Sequence, residues 1–277
     1  MIEPHTFIAP MLAVRVPHPF DDVHWWYEIK WDGYRCQIHW TDHLQIFSRN
    51  GQSLLRQFPD LADVAKELDR PVILDGELIA WENGKPSFSA LQRRHGGAHR
   101  VIVFDCLYAE GEWLLAKPLK TRLEYLHNVV STQGKIVVAD GVVEHGMALW
   151  TAAWDHGLEG VMAKNLNSPY LPGKRVRAWQ KFLVMNRQWA VVSVISRALD
   201  GQWMWWVSSD KDGGDVMAKL LAPKDWNVEV SLLVKEKRGT DIIWRLPDPI
   251  DVEVEYRELT AEGKMRHGRI RQWRTSN

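Results

Sequence analysis

The chain has 277 residues, 45% of them apolar and 25% charged, the make-up of a globular protein, which excludes extensive disorder. Its 35 basic and 35 acidic side chains cancel, so any contact with nucleic acid must come from local patches rather than global charge. Two cysteines exclude a disulfide scaffold, no apolar run nears the roughly 18 residues that span a bilayer, and the N-terminus is not signal-like, so a reduced, cytoplasmic setting with no membrane is expected.

In chain order, Trp25 to Lys30 reads as a strand entering a turn at Asp32-Gly33, and Arg35 to Trp40 as the strand that leaves it. Leu44 to Ser48 is another, closed by Arg49-Asn50-Gly51. Phe58, Leu61, Ala62, Ala65 and Leu68 recur at helical spacing, which predicts an amphipathic helix over 58–68. Strands follow at Val72 to Trp81 and Val101 to Leu107, then helices around Leu119 to Val130 and Met147 to Leu158. Val161 begins a further strand, and Ser168 to Gly173 forms a loop containing Pro and Gly.

Near 184–188 the character changes. Trp189 to Ile195, Trp203 to Val207, Glu229 to Val234 and Val252 to Tyr256 are short β-like runs between turn residues, the pattern of a small all-β barrel or sandwich. The chain is therefore read as α+β over 1–185 and all-β over 186–277. Most of its 16 tryptophans are expected to pack rather than bind.

Chemistry concentrates in a few segments. Lys30, at the end of a strand and just before an Asp-Gly turn, has its amine free to point into a cleft, and Arg35 adds a cation suited to phosphate or ribose. By itself this segment also fits an ordinary hairpin with surface cations. In Val72 to Leu78 the period of two puts Asp75 and Glu77 on one strand face. Two carboxylates in so apolar a run bind a cation, bind a ribose hydroxyl, or pair with Arg and Lys as a buried salt bridge. Phe104 alone reads as a core aromatic. Strict alternation sends Glu159 and Lys164 to opposite faces, so their sharing a pocket requires a bend at Gly160. The last stretch carries Lys264, Arg266, Arg269, Arg271 and Arg274 with no acid among them.

Taken in order, Lys30-Trp31-Asp32-Gly33-Tyr34-Arg35, Ser48-Arg49-Asn50-Gly51, Asp75-Gly76-Glu77-Leu78, Val103-Phe104-Asp105, Glu159 to Lys164 and Trp179-Gln180-Lys181 resemble the nucleotidyltransferase motifs of ATP-dependent DNA ligases. Pro118 to Leu123, Ser168 to Gly173 and Val252 to Tyr256 also look like that group. The resemblance spans residues 8–275 and is nearest to bacterial end-joining ligase domains and minimal bacterial or viral ligases. It implies an ATP-grasp-like nucleotidyltransferase domain of antiparallel sheets and helices, followed by an OB-fold.

The resemblance also implies roles. Lys30 would take AMP from ATP as a lysyl phosphoramidate. Glu28 and Ile29 would lie beside adenine and Phe104 would stack on it. Arg35 and Glu77 would contact ribose or phosphate, and Lys164 and Lys181 the α-phosphate. Glu77 and Glu159 would hold Mg²⁺ or Mn²⁺. Arg49 would meet the 5′-phosphate of nicked duplex DNA, and Arg266, Arg269, Arg271 and Arg274 its backbone. A monomeric two-domain core ligase, without a preceding DNA-binding domain, is expected. Two positions depart from the family pattern, which has lysine where this sequence has Leu183 and Asn277. An RNA ligase or capping-type guanylyltransferase shares the Lys-x-Asp-Gly motif, and the two departures also admit a weak homologue that only binds DNA ends.

Overall fold

A computed structural model describes residues 6–82, 84–93, 98–130, 134–260 and 262–275; Asn277 lies outside these. The chain forms two compact units, Met1–Val184 and Met185–Asn277.

Two sheets build the first unit. In one, the strands run Leu44–Ser48, Tyr34–Trp40, Val72–Glu82, Ala98–Ala109 and Glu112–Trp113, with Lys85–Pro86 and Ile136–Val138 as short additions. In the other they run Leu12–Arg15, Arg175–Leu183, Gly160–Asn165, Trp25–Ile29 and Gly141–Val143. The strand Val72–Glu82 shows why two sheets are needed. Val72, Leu74, Leu78 and Ala80 enter a core beneath the helix Leu119–Val129, whereas Ile73, Ile79 and Trp81 enter a second apolar layer with Met11, Phe104, Tyr170 and Trp179. Both faces are covered, so the strand reads as a nearly unbroken apolar run. A third cluster, with Tyr27, Val161 and Phe182, lies against the helix Gly146–Asp155.

Most elements fall where the sequence puts them. Pro59–Glu67, however, is a 3₁₀-helix rather than an α-helix, burying Leu61 and Val64 at a spacing of three.

The second unit is a sheet in the order Val216–Leu221, Trp203–Ser208, Asn186–Arg197, Asp241–Tyr256 and Val234–Arg238, with Arg269–Thr275 on the free edge of Asp241–Tyr256. Its core centres on Trp205, ringed edge-on by Trp226 and Trp273. The predicted strand over Glu229 to Val234 is instead a 3₁₀ turn at Val230–Leu232 followed by the strand Val234–Arg238; Leu233 packs on the core where the backbone turns. Trp154 and Trp189 are exposed, while most tryptophans pack.

One buried ion pair ties the first unit together. Arg122 is fully buried and donates to both oxygens of Asp105, at 2.7 and 3.0 Å, and to the carbonyls of Lys117 and Ser168 at 2.7 and 2.9 Å. Arg122→Ala strands the Asp105 charge and is expected to lower stability by about 3–5 kcal/mol. A fall in the urea midpoint that an added Asp105→Leu substantially recovers is the expected result.

Candidate active site

A cavity of about 500 Å³ opens within the first unit, and its walls come from both sheets. Glu28, Ile29 and Lys30 reach it from the end of Trp25–Ile29, Lys164 and Lys181 from the next two strands of that sheet, and Arg35, Glu77 and Phe104 from the other sheet. Arg49 lines it from the turn after Leu44–Ser48. Thus the proposed nucleotide residues and Arg49 meet in one space. Leu12 and Ala13, which carry no signal in the sequence, join because Leu12–Arg15 pairs in parallel with Arg175–Leu183. Arg175 also lines the cavity and bonds the Ala13 carbonyl.

Two glycines permit this approach. A Cβ on Gly33 would lie 2.1 Å from the Leu78 carbonyl oxygen, so the turn after Lys30 reaches the other sheet only without one. Gly160 has φ +146° and a Cβ there would stand 2.0 Å from the Phe182 oxygen. This is the bend the sequence required. It leaves Glu159 ahead of the strand, where its Oε2 accepts from Lys30 Nζ at 2.6 Å, while Lys164 still faces the cavity.

The strand pairing also aims Phe104. Asp75 pairs with Asp105 and Gly76 with Val103, so Phe104 is the extra residue of a bulge. It turns toward the cavity, but the residue is only 6% exposed. Lys164 Nζ lies 4.1 Å and Arg35 Cζ 4.5 Å from the ring centre, so a base stacking there shares the ring with two cations.

Two of the cavity's charges form a dry ion pair. Lys164 Nζ lies 2.5 Å from Glu28 Oε1, with both side chains almost completely buried, and Trp26 Nε1 donates to Glu28 Oε2 at 3.0 Å. Burial pushes Lys164 down and Glu28 up, each toward its neutral form. Lys181 is likewise pushed down by burial and then by the Lys30 charge. The alternatives for Asp75 and Glu77 divide between them. Asp75 is fully buried and takes two bonds from Arg35, whose Nη2 also donates to the Met11 carbonyl at 3.5 Å, whereas Glu77 faces the cavity.

No cluster of three or more His, Cys, Asp or Glu side chains suited to a metal occurs among the described residues. Glu77 and Glu159, however, offer hard carboxylate oxygens beside cavity cations. That donor set fits Mg²⁺, which commonly takes one or two carboxylates and completes its shell with phosphate and water.

The tail arginines lie in the other unit, on the short strand Met265–Arg266 and on Arg269–Thr275. They are less of a bare cationic patch than the sequence suggests. Arg266 pairs with Glu258 at 2.7 Å, Arg271 with Glu255 at 3.6 Å and Arg274 with Asp251 at 3.3 Å. Arg274 also lies 4.7 Å over the exposed Trp189.

A strand-end lysine in a cavity ringed by cations and two carboxylates defines a site for transferring a phosphate-bearing group. The chain belongs to the ATP-dependent DNA ligase family, whose domain model, "ATP dependent DNA ligase domain", matches residues 10–182. It is 28% identical to the SPbeta prophage-derived DNA ligase-like protein LigB of Bacillus subtilis, over 97% of this chain and 99% of that one. It is 34% identical to the multifunctional non-homologous end joining protein LigD of Mycobacterium bovis, over 67% of this chain but only 25% of LigD. The solved structure of mycobacterial DNA ligase D complexed with ATP and MES superposes with a TM-score of 0.62 at 27% identity, covering 98% of this chain and 96% of that one. The fold is that of a ligase nucleotidyltransferase domain, and the activity is that of an ATP-dependent DNA ligase, a family that works through lysyl-AMP. No helix among the described residues is long and apolar enough to cross a membrane.

The pH behaviour follows from Glu77, whose carboxyl is pushed up to about 7 by burial, against the pull of Lys30 and Arg35. The unfolded chain ionises this group near 4.5, so between there and about 7 it binds fewer protons than the folded protein. Stability therefore falls as pH rises through that window. In thermal melts of the unliganded protein, Glu77→Gln should remove part of this decline; an unchanged slope contradicts the assignment.

Proposed function

We propose that this chain seals nicks in duplex DNA, with Lys30 as the residue that carries AMP. The observation that supports it most is the meeting of Lys30, Glu77, Lys164, Lys181 and Arg35 around one cavity, with Glu159 bonded to Lys30. An amine attacks only in its neutral form, and Glu159 Oε2, 2.6 Å from Nζ, is placed to accept its proton. The lone pair of Nζ then attacks the α-phosphorus of ATP, forming the N–P bond as pyrophosphate leaves. The 5′-phosphate of the nick next displaces Lys30 from AMP, and the 3′-hydroxyl displaces AMP to close the strand.

Such transfers ask the protein for position and positive charge rather than covalent help. Lys164 and Lys181 supply charge at the α-phosphate, and Arg35 with Glu77 holds ribose or phosphate. Glu28 and Ile29 border the adenine, with Phe104 beneath it. A divalent metal held by Glu77 and Glu159 would offset phosphate charge. Arg49 takes the 5′-phosphate of the nick.

The Met185–Asn277 unit is read as an OB-fold. Its support is the pairing of Asp241–Tyr256 with Asn186–Arg197 on one edge and with two further strands on the other, in a wholly antiparallel sheet. Arg266, Arg269, Arg271 and Arg274 are its candidates for phosphate contacts, which position DNA without reading its sequence. The protein acts as a cytoplasmic monomer.

Incubation with labelled ATP and denaturing electrophoresis should give a labelled protein band that Lys30→Ala abolishes. A band of undiminished intensity in the variant excludes Lys30 as the carrier.

A second expectation concerns Leu183. It lies two residues beyond Lys181 and four beyond Trp179, both cavity residues, so strand alternation puts it on their face of the sheet. A hydrogen bond to a charged group is worth about 1.5–3 kcal/mol, or one to two decades in rate when made in the transition state. Leu183→Lys should therefore speed single-turnover self-adenylation and affect sealing of a pre-adenylated nick less. Unchanged adenylation would show that Arg175 or another cation already serves there.

A further inference from the structure

Two motifs take no part in the steps above, Pro118 to Leu123 and Ser168 to Gly173. Each contributes a fully buried polar side chain, Arg122 and Tyr170. The phenol of Tyr170 is the more telling, because a buried hydroxyl is costly unless bonded, and a phenylalanine ring would fill nearly the same space.

The Tyr170 hydroxyl donates to Asp75 Oδ2 at 2.5 Å and accepts from the Met11 amide at 3.0 Å. Asp75 is fully buried and takes two bonds from Arg35, Nε to Oδ1 at 2.7 Å and Nη2 to Oδ2 at 2.6 Å. Arg35 in turn lines the cavity with its guanidinium over Phe104. Three donors thus converge on one carboxylate, and the third comes from a loop distant in sequence.

That loop is itself fixed. The Tyr170 amide donates to the Leu115 carbonyl at 2.8 Å, and its ring meets Trp179 edge-on with centroids 5.8 Å apart. Arg122 donates to the Ser168 carbonyl at 2.9 Å from the base of the same loop.

We propose that Tyr170 is a positioning residue: acting through Asp75, it fixes the plane in which Arg35 presents its guanidinium to the nucleotide. Arg35 alone can rotate together with the carboxylate it grips. The hydroxyl removes that freedom, since a short charge-assisted bond holds Oδ2 at a set angle. This inference rests on Arg35 being a nucleotide contact, as proposed above.

The test is a double-mutant cycle on the full chain, reading KM for ATP and kcat of self-adenylation for wild type, Tyr170→Phe, Arg35→Ala and the double variant, each assayed below its melting temperature. Loss of a bond of this kind predicts a rise in KM of about three- to tenfold for Tyr170→Phe, with a smaller change in kcat. Arg35→Ala should raise KM further, and adding Tyr170→Phe to it should change KM little. An equal effect of Tyr170→Phe in both backgrounds means the hydroxyl merely stabilises the fold, which overturns the proposal. No effect of Tyr170→Phe overturns it as well, with Arg35 still a nucleotide contact. No effect of Arg35→Ala overturns the reading of Arg35, and with it any role for Tyr170 through that residue. Should Tyr170→Phe not fold, a ring-fluorinated tyrosine at position 170 keeps the shape and strengthens the donor; it should shift KM in wild type but not in Arg35→Ala, and an unmoved KM overturns the proposal.

Discussion

Between the two sheets of the first unit, each buried cation is held by a buried carboxylate, and the site depends on that pairing. Lys164 is held by Glu28 and Arg35 by Asp75 at the cavity, while Arg122 is held by Asp105 one strand residue beyond Phe104. Unpaired, any of these charges would be costly in so apolar a layer. Paired, they place buried polar groups at the wall of a cavity, where fixed dipoles and charges can face a phosphate. The Glu28–Lys164 pair belongs to one sheet and the Arg35–Asp75 pair to the other, and the two cations meet over the ring of Phe104.

Much of this was legible in the sequence, for reasons that differ by residue. Alternation in Val72 to Leu78 put Asp75 and Glu77 on one face, toward Arg35 and the cavity, and the parity clash between Glu159 and Lys164 pointed to Gly160, where φ is +146°. Local pattern was enough there because the constraint is local. It failed where partners lie far apart in the chain. Nothing near Tyr170 points to Asp75, and nothing near Phe104 shows that a bulge in the pairing would aim its ring. The 3₁₀ geometry of Pro59–Glu67 was likewise hidden, since a buried spacing of three or four suits either helix.

The basic tail shows the same limit in electrostatic form. Read linearly, Arg266 to Arg274 is a stripe of uncompensated cations. In the fold, Arg269–Thr275 pairs with Asp241–Tyr256, and Asp251 and Glu255 of that strand meet Arg274 and Arg271. The Arg274–Asp251 pair is largely exposed and worth little to stability, whereas Glu255 is buried beneath Arg271. Both pairs reduce the local field that a DNA phosphate would meet, so contacts there depend on exchanging a carboxylate for a phosphate and should be strongly sensitive to salt.

Lys30, rather than Lys164 or Lys181, which face the same space, is the proposed nucleophile of that cavity. Peptide mass mapping of the protein after incubation with ATP and a divalent metal distinguishes them directly. The adenylate is expected on the peptide containing Lys30, with the acid lability of a phosphoramidate. Modification of a peptide containing Lys164 or Lys181, with the Lys30 peptide unmodified, would contradict the assignment and the geometry built on it.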